Sequence, residues 1–165
     1  MRFRGLVYRA LNPVYARDPL SGAGAARYGG RFNARGRPAL YASLAPDTAI
    51  REANQIGFLQ PTTLVAYRAD IAPVFDATDP AAVRGQGLAP GVLGDPAWRH
   101  GMNRGAPVPT QDLAEALIAA GYAGLRVASF APGATAGDVN LVLWRWNAGP
   151  DTRLDLIDDE GRLGR

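Results

Sequence analysis

Runs of apolar and β-branched residues that end at Asn, Pro or Gly predict a series of β-strands along the chain. Residues 6–11 form the first run and are followed by Asn-Pro, a pair that favours a turn. Residues 62–71 form a well-marked strand, because they combine β-branched and aromatic side chains. Further strands are predicted at residues 38–43, 125–129 and 140–146, together with an edge strand at 154–157.

The segment that begins at Pro46 predicts an α-helix. Proline suits the first helical turn because its missing N–H would have no partner there, and the carboxylate of Asp47 complements the helix dipole. We expect this helix to run to about Ile56 and to stop at Gly57. It follows directly on the predicted strand at 38–43.

A second helix, predicted from Thr110 to Ala120, has the clearest helical pattern in the chain. Its apolar residues recur at helical spacing on one face, which indicates that this face is buried. We expect the hydroxyl of Thr110 to cap the first turn and Gly121 to end the helix.

The remaining segments are predicted as loops. Residues 12–30 show no periodicity, and residues 73–109 are rich in proline, with a short helix at 95–100 as an alternative. Because strands and helices are interspersed without a regular βαβ rhythm, the predicted fold class is α+β. The length of 165 residues favours a single domain, which we place at residues 1–150, followed by an acidic tail at 151–165.

Composition narrows the chemistry that the chain can perform. It has no cysteine and one histidine, His100. Disulfides, thiolate nucleophiles and thiolate-bound metals are therefore excluded, and we expect no metal site. Any catalysis must use carboxylates, arginines, hydroxyls and backbone groups.

All 18 basic residues are arginines, and their distribution is uneven. Residues 1–37 contain eight arginines and one acid, Asp18, which gives this segment a charge of +7. Such a segment predicts an anionic ligand or partner, with a solvated arginine-rich surface as the alternative. No apolar run approaches the ~18 residues of a spanning helix, and the run after Met1 is interrupted at Arg9. We therefore expect a cytoplasmic protein with no membrane partner.

Candidate chemistry concentrates between Tyr28 and Glu52. Two glycines precede Arg31, so the backbone can approach a ligand closely while the guanidinium offers a fork of donors for phosphate or carboxylate. Tyr41 ends the following strand. Glu52 lies on the helix that starts at Pro46, among apolar neighbours, where an inward carboxylate would be costly unless it had a use. The alternative is a solvent-facing Glu52 that pairs with Arg51 or with other residues around it.

Three segments together resemble the RES-domain toxins of bacterial RES–Xre toxin–antitoxin systems. They are residues 4–9 (RGLVYR), 28–33 (YGGRFN) and 39–52 (ALYASLAPDTAIRE). Residues 94–98, 125–129 and 140–143 follow in the family's order, so the resemblance spans roughly residues 4–146. The Arg, Glu and Ser positions that name the family correspond here to Arg31, Glu52 and Ser129. The chain departs from the family at Ala128, where proline is frequent, and at the end of the strand after Asn140.

The resemblance implies an ADP-ribosyltransferase-like α+β fold, with a split, mostly antiparallel sheet and flanking helices, that uses NAD⁺ as its substrate. It implies Glu52, Arg31, Tyr41 and Ser129 as catalytic residues, with Glu52 at the ribose 2′-hydroxyl and Arg31 at the phosphates. The complete set of NAD⁺-contacting residues that it implies is Arg9, Tyr28, Gly30, Arg31, Asn33, Tyr41, Ser129 and Asn140.

The resemblance also implies a function and a partner. The expected activity is that of a toxin that cleaves the nicotinamide–ribose bond of NAD⁺ and passes ADP-ribose to water or phosphate. Transfer of ADP-ribose to a cellular protein, such as a metabolic enzyme, is the alternative within the enzyme class. A non-catalytic basic module that binds nucleic acid is the alternative outside it. The expected partner is an Xre-type antitoxin in a stable complex, through which any contact with nucleic acid would be indirect.

Overall fold

A seven-stranded mixed sheet forms the centre of the computed structural model, which describes residues 1–55 and 57–164. Adjacent strands are antiparallel except β4 and β5, which are parallel, and the spatial order is β4-β5-β6-β2-β1-β3-β7. The strands are β1 (Phe3–Leu11), β2 (Leu40–Ser43), β3 (Thr63–Ile71), β4 (Val74–Asp76), β5 (Gly124–Ala128), β6 (Val139–Leu143) and β7 (Thr152–Leu156).

Helices lie in the connections from β1 to β2, from β2 to β3 and from β4 to β5. The α-helices are α1 (Ala23–Tyr28), α2 (Pro46–Ala53), α3 (Pro80–Gly85), α4 (Trp98–Asn103) and α5 (Pro109–Ala119), and short 3₁₀ helices span Pro13–Tyr15 and Pro90–Gly94. Helices and strands alternate irregularly around one sheet, which confirms the predicted α+β class. Among the helices of residues 1–55 and 57–164, none is long and apolar enough to cross a membrane.

Several predicted strands are confirmed with shifted ends. β1 begins three residues earlier than predicted because it pairs with β3 along its whole length, from Phe3 opposite Ile71 to Leu11 opposite Thr63. The predicted edge strand near the C-terminus is present as β7, which pairs with β3 and buries Leu154.

Two segments that the sequence predicts as loop contain regular structure. Residues 12–30 include α1, and residues 73–109 include β4, α3 and α4. The last of these overlaps the short helix expected as an alternative at 95–100 and begins three residues later. These elements are three to six residues long, too short for a hydrophobic period to show. Asp79 supplies a local signal for α3, since its carboxylate accepts a hydrogen bond from the Ala81 N–H at 2.9 Å.

The helix ends follow the predictions in part. Thr110 does not cap α5: the N-cap is Val108, and Thr110 lies inside the first turn, buried, without a hydrogen-bond partner for its hydroxyl among the described residues. The predicted stop at Gly121 is confirmed by its φ of +94°. α2 ends at Ala53, and its predicted end at Ile56 lies outside the described residues.

The sheet buries both of its faces, because successive side chains of a strand point to opposite sides. On one side Val7, Tyr67 and Leu141 are fully buried in one cluster. On the other side Val142 packs with Leu117 of α5. Fully burying such a side chain contributes about 1.5–3 kcal/mol each. The same alternation brings polar residues of β2 and β6 together on the second face, next to α2.

Candidate active site

Glu52 is held by two side chains from distant parts of the fold and by one that lies just after α2. Its Oε1 accepts hydrogen bonds from the hydroxyl of Ser129 at 2.5 Å and from the Nδ2 of Asn140 at 2.6 Å. Its Oε2 accepts one from the Nε2 of Gln55 at 2.6 Å. The alternative of a pair with Arg51 is wrong, because the guanidinium of Arg51 binds Asp138 instead. Three donors thus fix the orientation of a half-buried carboxylate.

Asn140 is itself oriented by a residue that the sequence analysis did not select. The hydroxyl of Ser43 donates to the Oδ1 of Asn140 at 2.7 Å, so the amide must turn its Nδ2 toward Glu52. Ser43 and Asn140 lie opposite each other on β2 and β6. The signal in the sequence is the spacing of two between Tyr41 and Ser43, which places both on one face of β2.

Ser129 follows β5 directly and is buried, with 8% of its surface exposed. Its N–H donates to the carbonyl of Asp138 at 2.8 Å, and its hydroxyl oxygen accepts from the Ala131 N–H at 3.3 Å. The hydroxyl proton is therefore directed to Glu52. The resemblance implies that Ser129 and Glu52 belong to one site, and in the structure the two side chains are in direct contact.

Tyr41 and Asn33 form a rigid pair beneath the cleft. The phenol of Tyr41 donates to the Oδ1 of Asn33 at 2.7 Å and accepts from the Phe32 N–H at 3.0 Å. Burial raises the pKa of Tyr41, so this phenol is a neutral donor. Asn33 is fully buried, and its Nδ2 donates to the carbonyls of Ala25 and Arg37 at 2.8 and 2.9 Å. Asn33 therefore shapes the 28–33 segment from below.

Gly30 is required at its position for a steric reason. A Cβ at this residue would lie 2.5 Å from the phenol oxygen of Tyr41 and 2.6 Å from the Oδ1 of Asn33. Its carbonyl accepts a hydrogen bond from the Nε2 of Gln111 at 2.9 Å, which ties the segment to α5. The sequence predicts that glycine at this position lets the backbone come close to a ligand. In the structure the backbone of Gly30 also packs closely against Tyr41 and Asn33, and it lines the cleft.

Arg31 contacts two aromatic rings and the backbone of residues 93–95. Its Nη1 donates to the carbonyls of Leu93 and Asp95 at 3.1 and 2.8 Å. The guanidinium carbon lies 5.8 Å from the ring centre of Trp98 and 5.1 Å from that of Phe130. Burial lowers the pKa of Arg31, which still leaves it cationic at neutral pH. Its Nε and Nη2 remain directed to no protein acceptor within residues 1–55 and 57–164.

Trp98, Phe130 and Arg99 were not selected as site residues from the sequence. Arg99 lies on the ring of Trp98 at 4.8 Å and pairs with no carboxylate of the described chain. Residues 94–98 belong to the segments that resemble the RES-domain family, and no local pattern in the sequence marks Trp98 as a site residue. Because α4 has only six residues and follows a proline-rich loop, no hydrophobic period in the sequence indicates that the side chains of Trp98 and Arg99 lie at the cleft.

Two cavities meet at Glu52. The smaller, of about 300 Å³, is lined by Tyr8, Arg9, Ser43 and Ala49, and the larger, of about 430 Å³, by Gly30, Arg31, Trp98, Arg99 and Phe130. Both are also lined by Tyr41, Glu52 and Asn140. The result is an elongated cleft with the fixed carboxylate at its middle and guanidinium groups on both sides.

Most of the predicted residues line this cleft, and Ser129 contacts Glu52 without lining either cavity. Two others, Tyr28 and the fully buried Asn33, do not line it. Arg9 lines the smaller cavity while its Nη1 donates to the carbonyl of Pro19 at 2.8 Å. Tyr28 is 60% exposed and lines a separate cavity on α1, which shares Arg9 but not Glu52. Within the described residues, no group of three or more His, Cys, Asp or Glu side chains is arranged to hold a metal ion.

Comparisons with known proteins agree with this architecture. The family model for the RES domain matches residues 6–164. A chain of the MbcT–MbcA toxin–antitoxin complex of M. tuberculosis is structurally similar, with a TM-score of 0.64 and 24% sequence identity over 96% of this chain and 84% of that chain. At this level of identity the likeness supports the fold. No curated protein matches the chain significantly in sequence.

Proposed function

The chain belongs to the RES domain family, and on that premise we propose that it is an NAD⁺-consuming toxin enzyme of a toxin–antitoxin pair. The proposed reaction breaks the nicotinamide–ribose bond and passes ADP-ribose to water or phosphate. The observation that carries the proposal is the carboxylate of Glu52, which Ser129 and Asn140 hold at the meeting point of two cavities.

The charge and shape of the cleft support a dinucleotide as substrate. NAD⁺ has two nucleoside halves joined by an anionic pyrophosphate, and the cleft has two lobes with arginines in both. Arg31 and Arg99 have donors that no carboxylate of the described chain neutralises. Guanidinium groups bind phosphate by charge-assisted, bidentate hydrogen bonds. The aromatic rings of Trp98 and Phe130 offer surfaces for stacking beside them.

The chemistry suits a cleft whose two cavities are lined by no cysteine and no histidine among the described residues. As the C1′–N bond breaks, its electron pair leaves with nicotinamide, which departs as a neutral molecule without a general acid. The ribose carbon develops the positive charge of an oxocarbenium ion, as in glycoside hydrolysis. A fixed carboxylate stabilises that charge. The acceptor then forms a bond to C1′ and loses its proton.

The hydrogen bonds of Glu52 assign different tasks to its two oxygens. Oε1 is occupied by the buried Ser129 and by Asn140. Oε2 is contacted by Gln55, an exposed side chain that a substrate can displace. We therefore assign Oε2 to the ribose 2′-hydroxyl and Oε1 to the positioning of the carboxylate.

The activity is tested with the purified chain and NAD⁺, with and without phosphate and with added cell extract. Free ADP-ribose, phosphorylated ADP-ribose or labelled protein identifies water, phosphate or a protein side chain as acceptor. Glu52→Gln serves as the inactive variant and Glu160→Gln, at an exposed carboxylate paired with Arg162, as the matched control. Unchanged NAD⁺ under all of these conditions would refute the proposal.

The proposed partner is an Xre-type antitoxin that binds at the mouth of the cleft. The structurally similar chain of M. tuberculosis comes from a toxin–antitoxin complex. Here the side chains of Val14 and Tyr15 are 77% and 65% exposed, and they line a cavity of about 560 Å³ with Arg17 and Arg27. This surface suits an acidic segment with apolar side chains. We expect both proteins in the cytoplasm, where NAD⁺ is available.

A further inference from the structure

Asp138 is a buried acid that the proposed reaction does not use. Only 6% of its surface is exposed, and both oxygens of its carboxylate accept hydrogen bonds. Oδ1 accepts from the Thr48 hydroxyl at 2.6 Å and from the Arg51 guanidinium at 2.7 Å. Oδ2 accepts from the N–H and the hydroxyl of Thr135 at 2.7 and 3.1 Å. These donors, the Thr135 N–H first, lower the pKa of Asp138 to about 2, so it is ionised throughout the physiological range.

The contacts of Asp138 join the two segments that make the Glu52–Ser129 hydrogen bond. Thr48 and Arg51 lie on α2, and Thr48 precedes Glu52 by four residues, which places both on one side of the helix. The carbonyl of Asp138 accepts the N–H of Ser129 at 2.8 Å. One residue therefore holds α2 with its side chain and the Ser129 backbone with its carbonyl.

We propose that Asp138 is a positioning residue that fixes Ser129 relative to Glu52. The loop between β5 and β6 has no regular structure of its own, and its carboxylate anchor determines where it meets α2. Asp138 does not touch the cleft, since it lines neither of the two cavities at Glu52. The effect of Asp138 on the reaction rate rests on the proposed NAD⁺ cleavage. Its effect on the position of Ser129 relative to Glu52 does not.

Asp138→Asn tests the role with little change in volume. An amide cannot accept hydrogen bonds at both ends, so its NH₂ would face either the Thr135 N–H or the donors of α2. A displacement of about 1 Å in a catalytic group costs on the order of 100-fold in rate. We expect kcat to fall by about that factor while KM for NAD⁺ changes less than about threefold, because the arginines of the cleft are untouched.

Two further variants separate positioning from a general loss of folding. Thr48→Val keeps the shape of the side chain and removes one donor to Asp138, so we expect a smaller fall in kcat in the same direction. Asp76→Asn is the matched control. Like Asp138, Asp76 accepts hydrogen bonds from a threonine, Thr78, and from an arginine, Arg126, but it lies on β4, away from α2. Its kcat should equal that of the wild-type chain below the unfolding temperature.

The positioning role of Asp138 can also be tested without substrate, by measuring the free energy of unfolding. The coupling between Glu52→Gln and Ser129→Ala is determined by urea unfolding in the wild-type and the Asp138→Asn background. We expect a coupling in the first background and none in the second. An equal coupling in both backgrounds would overturn the positioning role, whether or not the chain consumes NAD⁺. Absence of NAD⁺ cleavage by the wild-type chain, with loss of coupling in the variant, would instead refute only the proposed function.

Discussion

The hydroxyl of Ser129 lies 2.5 Å from the Oε1 of Glu52, although 77 residues separate the two in the chain. Ser129 follows β5, the second strand from one edge of the sheet, and Glu52 lies on α2, which packs across β1 and β2. Their hydrogen bond holds the carboxylate of Glu52 where the two cavities of the cleft meet. Because Asn140 donates to the same oxygen, the carboxylate has one orientation and Oε2 faces Gln55 and the cleft.

Glu52→Gln is expected to remove NAD⁺ consumption while the fold remains intact. The amide keeps the shape of the side chain but lacks the negative charge that stabilises an oxocarbenium ion. Losing such an electrostatic contact costs on the order of 10²–10³ in rate. The rate is measured by the release of nicotinamide. A variant with near wild-type turnover would remove Glu52 from the proposed mechanism.

Arg31→Lys is expected to weaken NAD⁺ binding by at least about tenfold, as follows from a loss of ~1.5–3 kcal/mol for one charged hydrogen bond. An ammonium group has no planar fork, so it cannot bond the carbonyls of Leu93 and Asp95 and also present donors to phosphate. Binding is measured by calorimetry with the Glu52→Gln variant as background, which prevents turnover. Arg84→Lys, at an exposed arginine on α3, is the control. Equal affinity for both variants would show that Arg31 does not bind the phosphates.

Gly30→Ala is expected to destabilise the protein by about 1–3 kcal/mol, the usual cost of overpacking. The added Cβ would meet the phenol oxygen of Tyr41 at 2.5 Å. Combining it with Tyr41→Phe removes that oxygen, so the two changes should cost less together than the sum of their separate effects. Gly24→Ala is the control, because nothing lies within 4 Å of its Cβ position. Urea unfolding measures all four variants, and strict additivity would contradict the steric account.

Stability should decrease in acid partly through Asp138. Its pKa is about 2 in the folded protein against an ordinary value of 3.8. A depressed folded-state pKa contributes stability that is fully present above the ordinary value and is lost as pH falls through the folded value. We therefore expect the urea midpoint to fall between pH 4 and pH 2, and to fall less steeply in the Asp138→Asn variant. Parallel pH profiles for the two proteins would assign the acid sensitivity to other carboxylates.

A complex with the proposed antitoxin should bind NAD⁺ far more weakly than the free chain. The basic and exposed apolar residues around Arg9, Val14 and Tyr15 lie beside the smaller lobe, so a protein bound there would cover its mouth. Calorimetry with the purified complex measures the difference. Equal NAD⁺ affinity in the two forms would show that inhibition acts by distortion of the site and not by occlusion.

The sequence by itself determined the class of fold and the main candidates for the site. The strands at β1, β2, β3, β5 and β6 and the helices α2 and α5 follow from local patterns, since period two, period 3.6 and Pro or Gly at the ends are properties of neighbouring residues. Arg31, Tyr41 and Glu52 were candidates from the segment 28–52, and Ser129 was implied only by the resemblance to the RES family. The structure places all four at or beside one cleft.

Only the tertiary structure decided how those residues are held and which others join them. Asp138 acts through partners up to 90 residues away, and Asn140 receives its orientation from Ser43 across 97 residues. Trp98 reaches Arg31 only because a short helix packs against the 28–33 segment. No local period encodes such contacts, because they arise when strands distant in sequence become neighbours in the sheet and direct their side chains to the same face.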